Sequence, residues 1–177
     1  GLPEEAIGQA ITNGADWFFD AKLLVHPSWE QLYYENTSEN GKEVVHPPVA
    51  DTVPLGTGSL GILEGHASRI NPDGSQPYRW WIRADCQAET AYALSTAYKY
   101  APNEQYLETA KNLLDYIFTT SNLRSGERND PESPSFGLIG WATTDPDAYY
   151  GDDNARLLLS LIGASSNMGL HDWDEEL

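Results

Sequence analysis

Cysteine is nearly absent from this chain: Cys86 is the only one in 177 residues. A single thiol can form no intramolecular disulfide and no multi-cysteine metal site. Basic residues are also scarce, with 10 Lys and Arg against 27 Asp and Glu, a formal net charge of -17. Nucleic acids and anionic membranes need a basic surface, so this balance argues against both as partners. A neutral partner, such as a sugar, is compatible with it. No apolar run approaches the roughly 20 residues of a membrane span. The sequence contains no secretory signal and opens at Gly1-Leu2-Pro3. That leaves the compartment open, and a bacterial periplasmic or secreted origin fits. His26, His46, His66 and His171 are scattered without zinc-ligand spacing. The glycines of Ser59-Leu60-Gly61-Ile62-Leu63-Glu64-Gly65-His66 do not precede a helix in phosphate-loop spacing. No cofactor or metal is expected on these grounds.

What is present is apolar and aromatic. Hydrophobic residues make up 40% of the chain, with 6 Trp and 10 Tyr, enough to exclude disorder on composition. The length suits one domain over residues 1–177. Periodicity predicts four helices, over about Pro3–Leu24, Ala84–Tyr100, Asn103–Thr119 and Asp153–Asn167. Glu4 and Glu5 suit the first turn of the first helix, Pro102 stops the second, Asn103 caps the third and Gly169 follows the fourth. Two long irregular segments, Val25–Arg83 and Thr120–Gly151, separate them. Lys42–His46 and Arg79–Ile82 could form short strands there. The first and third helices read as amphipathic, with Ile7, Ala10, Ile11, Trp17, Phe18, Ala21 and Leu24 as the apolar stripe of the first. The second and fourth read as apolar all round, which implies burial on both sides. The fold class is therefore all-α, an outer–inner alternation of helical hairpins. In such an array the inner helices run the same way, and their N-termini gather at one end. Arg83, Asp85 and Glu89 should then converge with Asp152, Asp153 and Arg156, where both long loops also arrive.

Two segments at that end can carry chemistry. In Tyr149-Tyr150-Gly151-Asp152-Asp153-Asn154-Ala155-Arg156, two adjacent carboxylates open an apolar helix behind two tyrosines. One aspartate suffices as a helix cap, worth about 1 kcal/mol. The other is free to face a cleft, as a general acid, base or nucleophile. A metal-binding role is the third option, although Arg156 and the lack of a second acidic run fit poorly with magnesium-binding aspartate motifs. In Tyr78-Arg79-Trp80-Trp81-Ile82-Arg83-Ala84-Asp85, Trp80 or Trp81 could be a sugar platform and Arg83 a donor to hydroxyl or carboxylate. The plain alternative pairs Arg83 with Asp85 or Glu89 and puts the tryptophans in the core. Glu64 and His66 could line the cleft, and Trp141 could cap it.

The alternating helices and Tyr150-Gly151-Asp152-Asp153-Asn154-Ala155 together resemble the six-hairpin glycosidase superfamily, the (α/α)6 toroids. The motif is most similar to the aspartate pair of the α-mannanase-like glycoside hydrolases. Related unsaturated glucuronyl hydrolases also place aspartates at inner-helix starts. The resemblance implies Asp152 and Asp153 as catalytic and an oligosaccharide or polysaccharide as substrate, and it implies nothing precise for Arg83 or Asp85. The residues themselves make Trp80, Trp81, Arg83, Asp85, Glu89, Trp141 and Tyr150 the candidates to line the substrate site. A toroid needs twelve helices, so these four imply the N-terminal portion of a larger toroid or a core completed by self-association. The alternative is a non-catalytic carbohydrate-binding or scaffold module.

Overall fold

A computed structural model of the chain describes residues 1, 3–36, 43–44 and 52–177. It is mostly helical. Helix α1 spans Glu4–Asp20, α2 spans Glu30–Asn36, α3 spans Ala84–Tyr100, α4 spans Glu104–Asp115 and α5 spans Gly151–Met168. Three two-residue strands, β1 (Glu43–Val44), β2 (Gly65–His66) and β3 (Tyr78–Arg79), form an antiparallel sheet in the order β1-β3-β2. Glu43 pairs with Arg79 and Val44 with Tyr78, while Gly65 and His66 pair with the same two residues from the other side. Of the expected strand Lys42–His46, only 43–44 are described; Lys42, Val45 and His46 lie outside the described residues.

The predicted bounds of α3 hold at both ends. Asn103 caps α4 as expected, its Oδ1 accepting the amide of Gln105 at 3.0 Å. The end of α4 differs, since Tyr116–Thr120 winds as a π-turn. There Thr119 Oγ1 donates to the Asp115 carbonyl at 2.6 Å, a side-chain competitor for the regular ladder. Helix α5 ends where Gly169 takes φ 67°, the left-handed conformation glycine adopts at least cost. Helix α1 stops four residues before the expected Leu24, because Lys22 turns to φ 56°. Leu23, Leu24 and Val25 then run extended and fully buried, bridged to Ile62. Their continuous hydrophobicity reflects burial on two faces, and periodicity cannot tell that from a helix. The stripe expected on α1 is also rotated: Gly8, Ala15 and Phe19 face the core, whereas Ile7 and Trp17 are exposed. Helix α2 and the turn Pro27–Trp29 before it form inside a segment expected to be irregular, and they bury Trp29 and Tyr33.

Helix α3 is the hub. It packs against α5, α4 and α1, and Ala88, Ala91 and Leu94 are wholly buried along it. Helices α3 and α5 run parallel. Arg83 and Asp85 at the start of α3 touch Asp153 and Arg156 at the start of α5, and Ser95 and Thr96 farther along α3 meet Asn167 near the end of α5. The expectation that α5 is covered all round fails among the described residues. Leu157, Leu161 and Ala164 are buried, but Leu158, Leu159 and Ile162 are exposed, Leu159 to 69%.

Each long loop is fastened to the helix it leads into by one amide side chain. Gln87 on α3 accepts the Ile62 amide at 2.7 Å and donates to the Ile62 carbonyl at 2.9 Å. Asn154 on α5 does the same to Ile139, at 2.9 and 3.0 Å. Gln87 is fully buried, so its loss strands two backbone groups, each costing about 1–3 kcal/mol. Gln87→Ala should therefore lower stability by about 2–4 kcal/mol, read as a lower urea midpoint with an unchanged m-value.

Candidate functional site

The strand β3 leads through Trp80–Ile82 into Arg83, the residue before α3. Two backbone contacts then tie this passage to the second loop: the Ala84 amide donates to the Trp141 carbonyl at 3.0 Å, and the Thr143 amide to that of Ile82 at 3.1 Å. The second loop is itself held by buried Arg128, which donates to the carbonyls of Asn122 and Pro146 at 2.8 Å each. Three elements thus meet at the N-terminal ends of α3 and α5, with both loops pinned above them.

Charge is concentrated there. The Arg83 Nη2 lies 2.8 Å from Asp85 Oδ2 and 2.7 Å from Asp153 Oδ1, and its Nη1 lies 3.2 Å from Glu64 Oε1. Arg156 reaches Asp85 and Asp153 at 2.9 Å each. Arg79 adds a contact to Glu64 Oε1 at 2.9 Å. Asp85 and Asp153 are both buried, Asp85 to 2% exposure, and they are hydrogen-bonded to each other. Burial, followed by the hydrogen bond and the charge of Asp153, pushes the Asp85 carboxyl up to about 6 despite Arg83 and Arg156. For Asp153 burial acts in the same upward sense, but the hydrogen bond from Asp85 and the two guanidiniums outweigh it and hold it below the ordinary carboxylate value. Below about pH 6 the pair holds one proton, and Asp85 carries it.

An aromatic edge borders this cluster. The Arg79 guanidinium sits 4.5 Å from the Trp81 ring, and Arg83 sits 5.5 Å from that of Trp141. Trp81 and Trp141 meet edge to face at 5.2 Å, and Trp141 meets Tyr150 at 6.0 Å. Trp81 and Trp141 are half-buried and Tyr150 is exposed.

Arg83, Asp85, Asp152, Asp153 and Arg156 gather at one end of the array, as the parallel course of α3 and α5 requires. Among the residues expected at the site, Trp80 does not reach its surface: it is 2% exposed and belongs to the core, so it offers no stacking face. Asp153 is the inward carboxylate of its pair. Asp152 points to solvent, 77% exposed, with Arg156 3.8 Å away. Neither caps α5 through its side chain. Glu89 is exposed on α3. Gln87, Asn154 and Arg128 fasten the site without having been expected to. Among the described residues, no group of three or more His, Cys, Asp and Glu could hold a metal ion. No helix is long and apolar enough to cross a membrane among the same residues. No protein-family model, curated protein or solved structure matches the chain.

The titration of Asp85 has a consequence for stability. A carboxyl raised in the folded state contributes stability that is full below its ordinary value near 4 and is lost as pH rises through about 6. Asp153, held low, contributes in the opposite sense, above its ordinary value. Going from pH 5 to 7.5 should therefore cost about 1–2 kcal/mol through Asp85. Asp85→Asn keeps a donor toward Asp153 without titrating. Urea unfolding at both pH values should show a smaller loss for the variant than for the parent.

Proposed function

We propose that this chain is carbohydrate-active, a glycoside hydrolase using carboxylate acid/base catalysis on one arc of an (α/α)6 toroid related to the α-mannanase-like enzymes. What supports the arc is the parallel pair α3 and α5, with α4 running between them in sequence, and the uncovered apolar face of α5. What supports the chemistry is a separation of roles among the carboxylates. Asp85 and Asp153 lie under the surface, occupied by Arg83 and Arg156. Asp152 and Glu89 are exposed, Asp152 on the first turn of α5 and Glu89 on the second turn of α3. Both act on the charge of Arg156, so the guanidinium lies within the field of each.

Glycosidic cleavage needs one carboxyl to protonate the leaving oxygen and a second to activate water or attack the anomeric carbon. In this reading Asp152 and Glu89 are that pair, Trp81, Trp141 and Tyr150 offer rings for stacking, and Arg156 donates to a sugar hydroxyl. Asp153 orients Arg156 and works through it. The non-catalytic reading, a carbohydrate-binding or scaffold module, draws on one observation: the two carboxylates with displaced titration are buried and fully engaged in ion pairs.

A glycan screen of the purified protein, followed by single variants, separates the two. Asp152→Asn and Glu89→Gln should each lower turnover by at least ~100-fold while circular dichroism stays unchanged, the scale of a lost general acid or base. Asp153→Asn should lower both turnover and thermal stability. Full turnover in folded Asp152→Asn and Glu89→Gln proteins would refute the catalytic assignment, and binding of glycans with no turnover would favour the module.

A further inference from the structure

Between α2, the π-turn that ends α4 and the second loop lies a cavity of about 250 Å³ bordered by Glu30, Tyr34, Leu60, Tyr116, Asn122 and Thr143. One wall is fixed by hydrogen bonds: the Asn122 side chain donates to the Thr143 carbonyl at 2.9 Å, and the Thr143 and Tyr33 hydroxyls lie 2.9 Å apart. Tyr116 is buried to 8% exposure. Its hydroxyl nevertheless has no hydrogen-bond partner among the described residues and is not sealed from solvent. Burial, then the neighbouring Tyr33, Tyr34 and Glu30, push this phenol well above its ordinary value, so it offers a proton at neutral pH. A buried donor without an acceptor is costly, and a ligand that accepts from it relieves that cost. The Glu30 carboxylate only accepts, and no cation lines the cavity among the described residues. These demands select among ligands. An ammonium has no lone pair to take the Tyr116 proton, and an anion is repelled by Glu30. An apolar ligand leaves both polar groups unanswered. Hydroxyls both accept and donate, so neighbouring hydroxyls on one ring answer Tyr116 and Glu30 together. The apolar face of such a ring then lies on Tyr34, which is 59% exposed.

We infer that this cavity is a binding site for one neutral pyranose ring, stacked on Tyr34 with its hydroxyls held by Tyr116 and Glu30, and separate from the surface of Asp152 and Glu89. The inference does not rest on glycoside cleavage, since a site of this kind binds sugar whether or not the chain turns it over. The probes are the methyl pyranosides of glucose, galactose and mannose, titrated by NMR against the whole chain at neutral pH. Cyclohexanol, a ring of the same size with one hydroxyl, is the control. At least one glycoside should bind at millimolar concentration, and cyclohexanol should not. Tyr116→Phe removes only the unpartnered hydroxyl and should weaken binding at least ~5-fold while circular dichroism stays unchanged. Tyr34→Ala, a surface change, should weaken it as well, and Asp152→Asn should leave it as it is. Turnover is not read in these titrations, so their failure leaves the cleavage reading standing. No glycoside binding at millimolar concentration, equal binding of cyclohexanol, unchanged affinity in either tyrosine variant, or loss of affinity in the Asp152→Asn protein would overturn the inference.

Discussion

The guanidinium of Arg83 is the joint on which the arrangement depends. It touches carboxylates from three separate parts of the chain: Glu64 beside β2, Asp85 on α3 and Asp153 on α5. A charge this buried is tolerated only while it is paired. Removing one partner leaves an uncompensated ion, which typically costs several kcal/mol. Arg156 closes the set from the solvent side, so that the two buried aspartates and two guanidiniums satisfy one another. Local backbone preferences cannot produce this. It requires the first loop, α3 and α5 to arrive together, which couples assembly of the site to packing of the helices.

Sequence pattern was a good guide to the helices and a poor one to what surrounds them. Helix α3 reads cleanly because Pro102 ends it and its alanines recur at helical spacing together with Leu94. The convergence of Asp85 and Asp153 follows from the alternation of the helices, since parallel inner helices bring their N-termini together. The end of α1 was illegible because Leu23, Leu24 and Val25 are apolar in succession, and extended chain buried on both faces looks the same as a helix. Strand β2 escaped because two residues, Gly65 and His66, are too few to show a period. Trp80 and Trp81 are adjacent and chemically identical, yet alternate pointing at the end of β3 sends one into the core and leaves the other at the surface. No composition rule tells such neighbours apart; knowing the strand's register does.

The amide fasteners show a regularity that no single residue reveals. Gln87 sits two residues after the buried Asp85, and Asn154 sits one residue after the buried Asp153. Each binds both backbone groups of an isoleucine in the preceding loop, Ile62 or Ile139. In each case an acid turns toward the neighbouring helix and an amide turns toward the loop. A polar residue in a largely apolar helix reads as a surface position, but Gln87 is wholly buried, and its three backbone bonds, two to Ile62 and one to the Arg83 carbonyl, justify that. The signal was present in the repetition of an acid followed by an amide, at the start of helices that both follow long loops.

A cluster of buried charges is weak evidence for stability, because well-packed apolar side chains in the same volume often do as well. The chain uses such packing elsewhere on these same helices, at Leu94 and Leu161. What ions and hydrogen bonds add is a fixed register. Ala88, Ala91, Ser160 and Ala164 are small and buried on α3 and α5, and surfaces of small side chains offer few knobs to resist sliding. Directional contacts at both ends of the pair resist it instead: Asp85 and Arg83 with Asp153 and Arg156 at the start, and Ser95 and Thr96 with Asn167 farther along. A slip of one helical turn, about 5.4 Å, would break both sets at once. The register held in this way sets how far Asp152 on α5 stands from Glu89 on α3. Two-carboxylate chemistry at this surface would depend on that spacing more than on any other quantity, because carboxyl separation decides whether the second group attacks carbon or activates a water. The buried ions therefore serve the proposed site by fixing the position of the exposed ones.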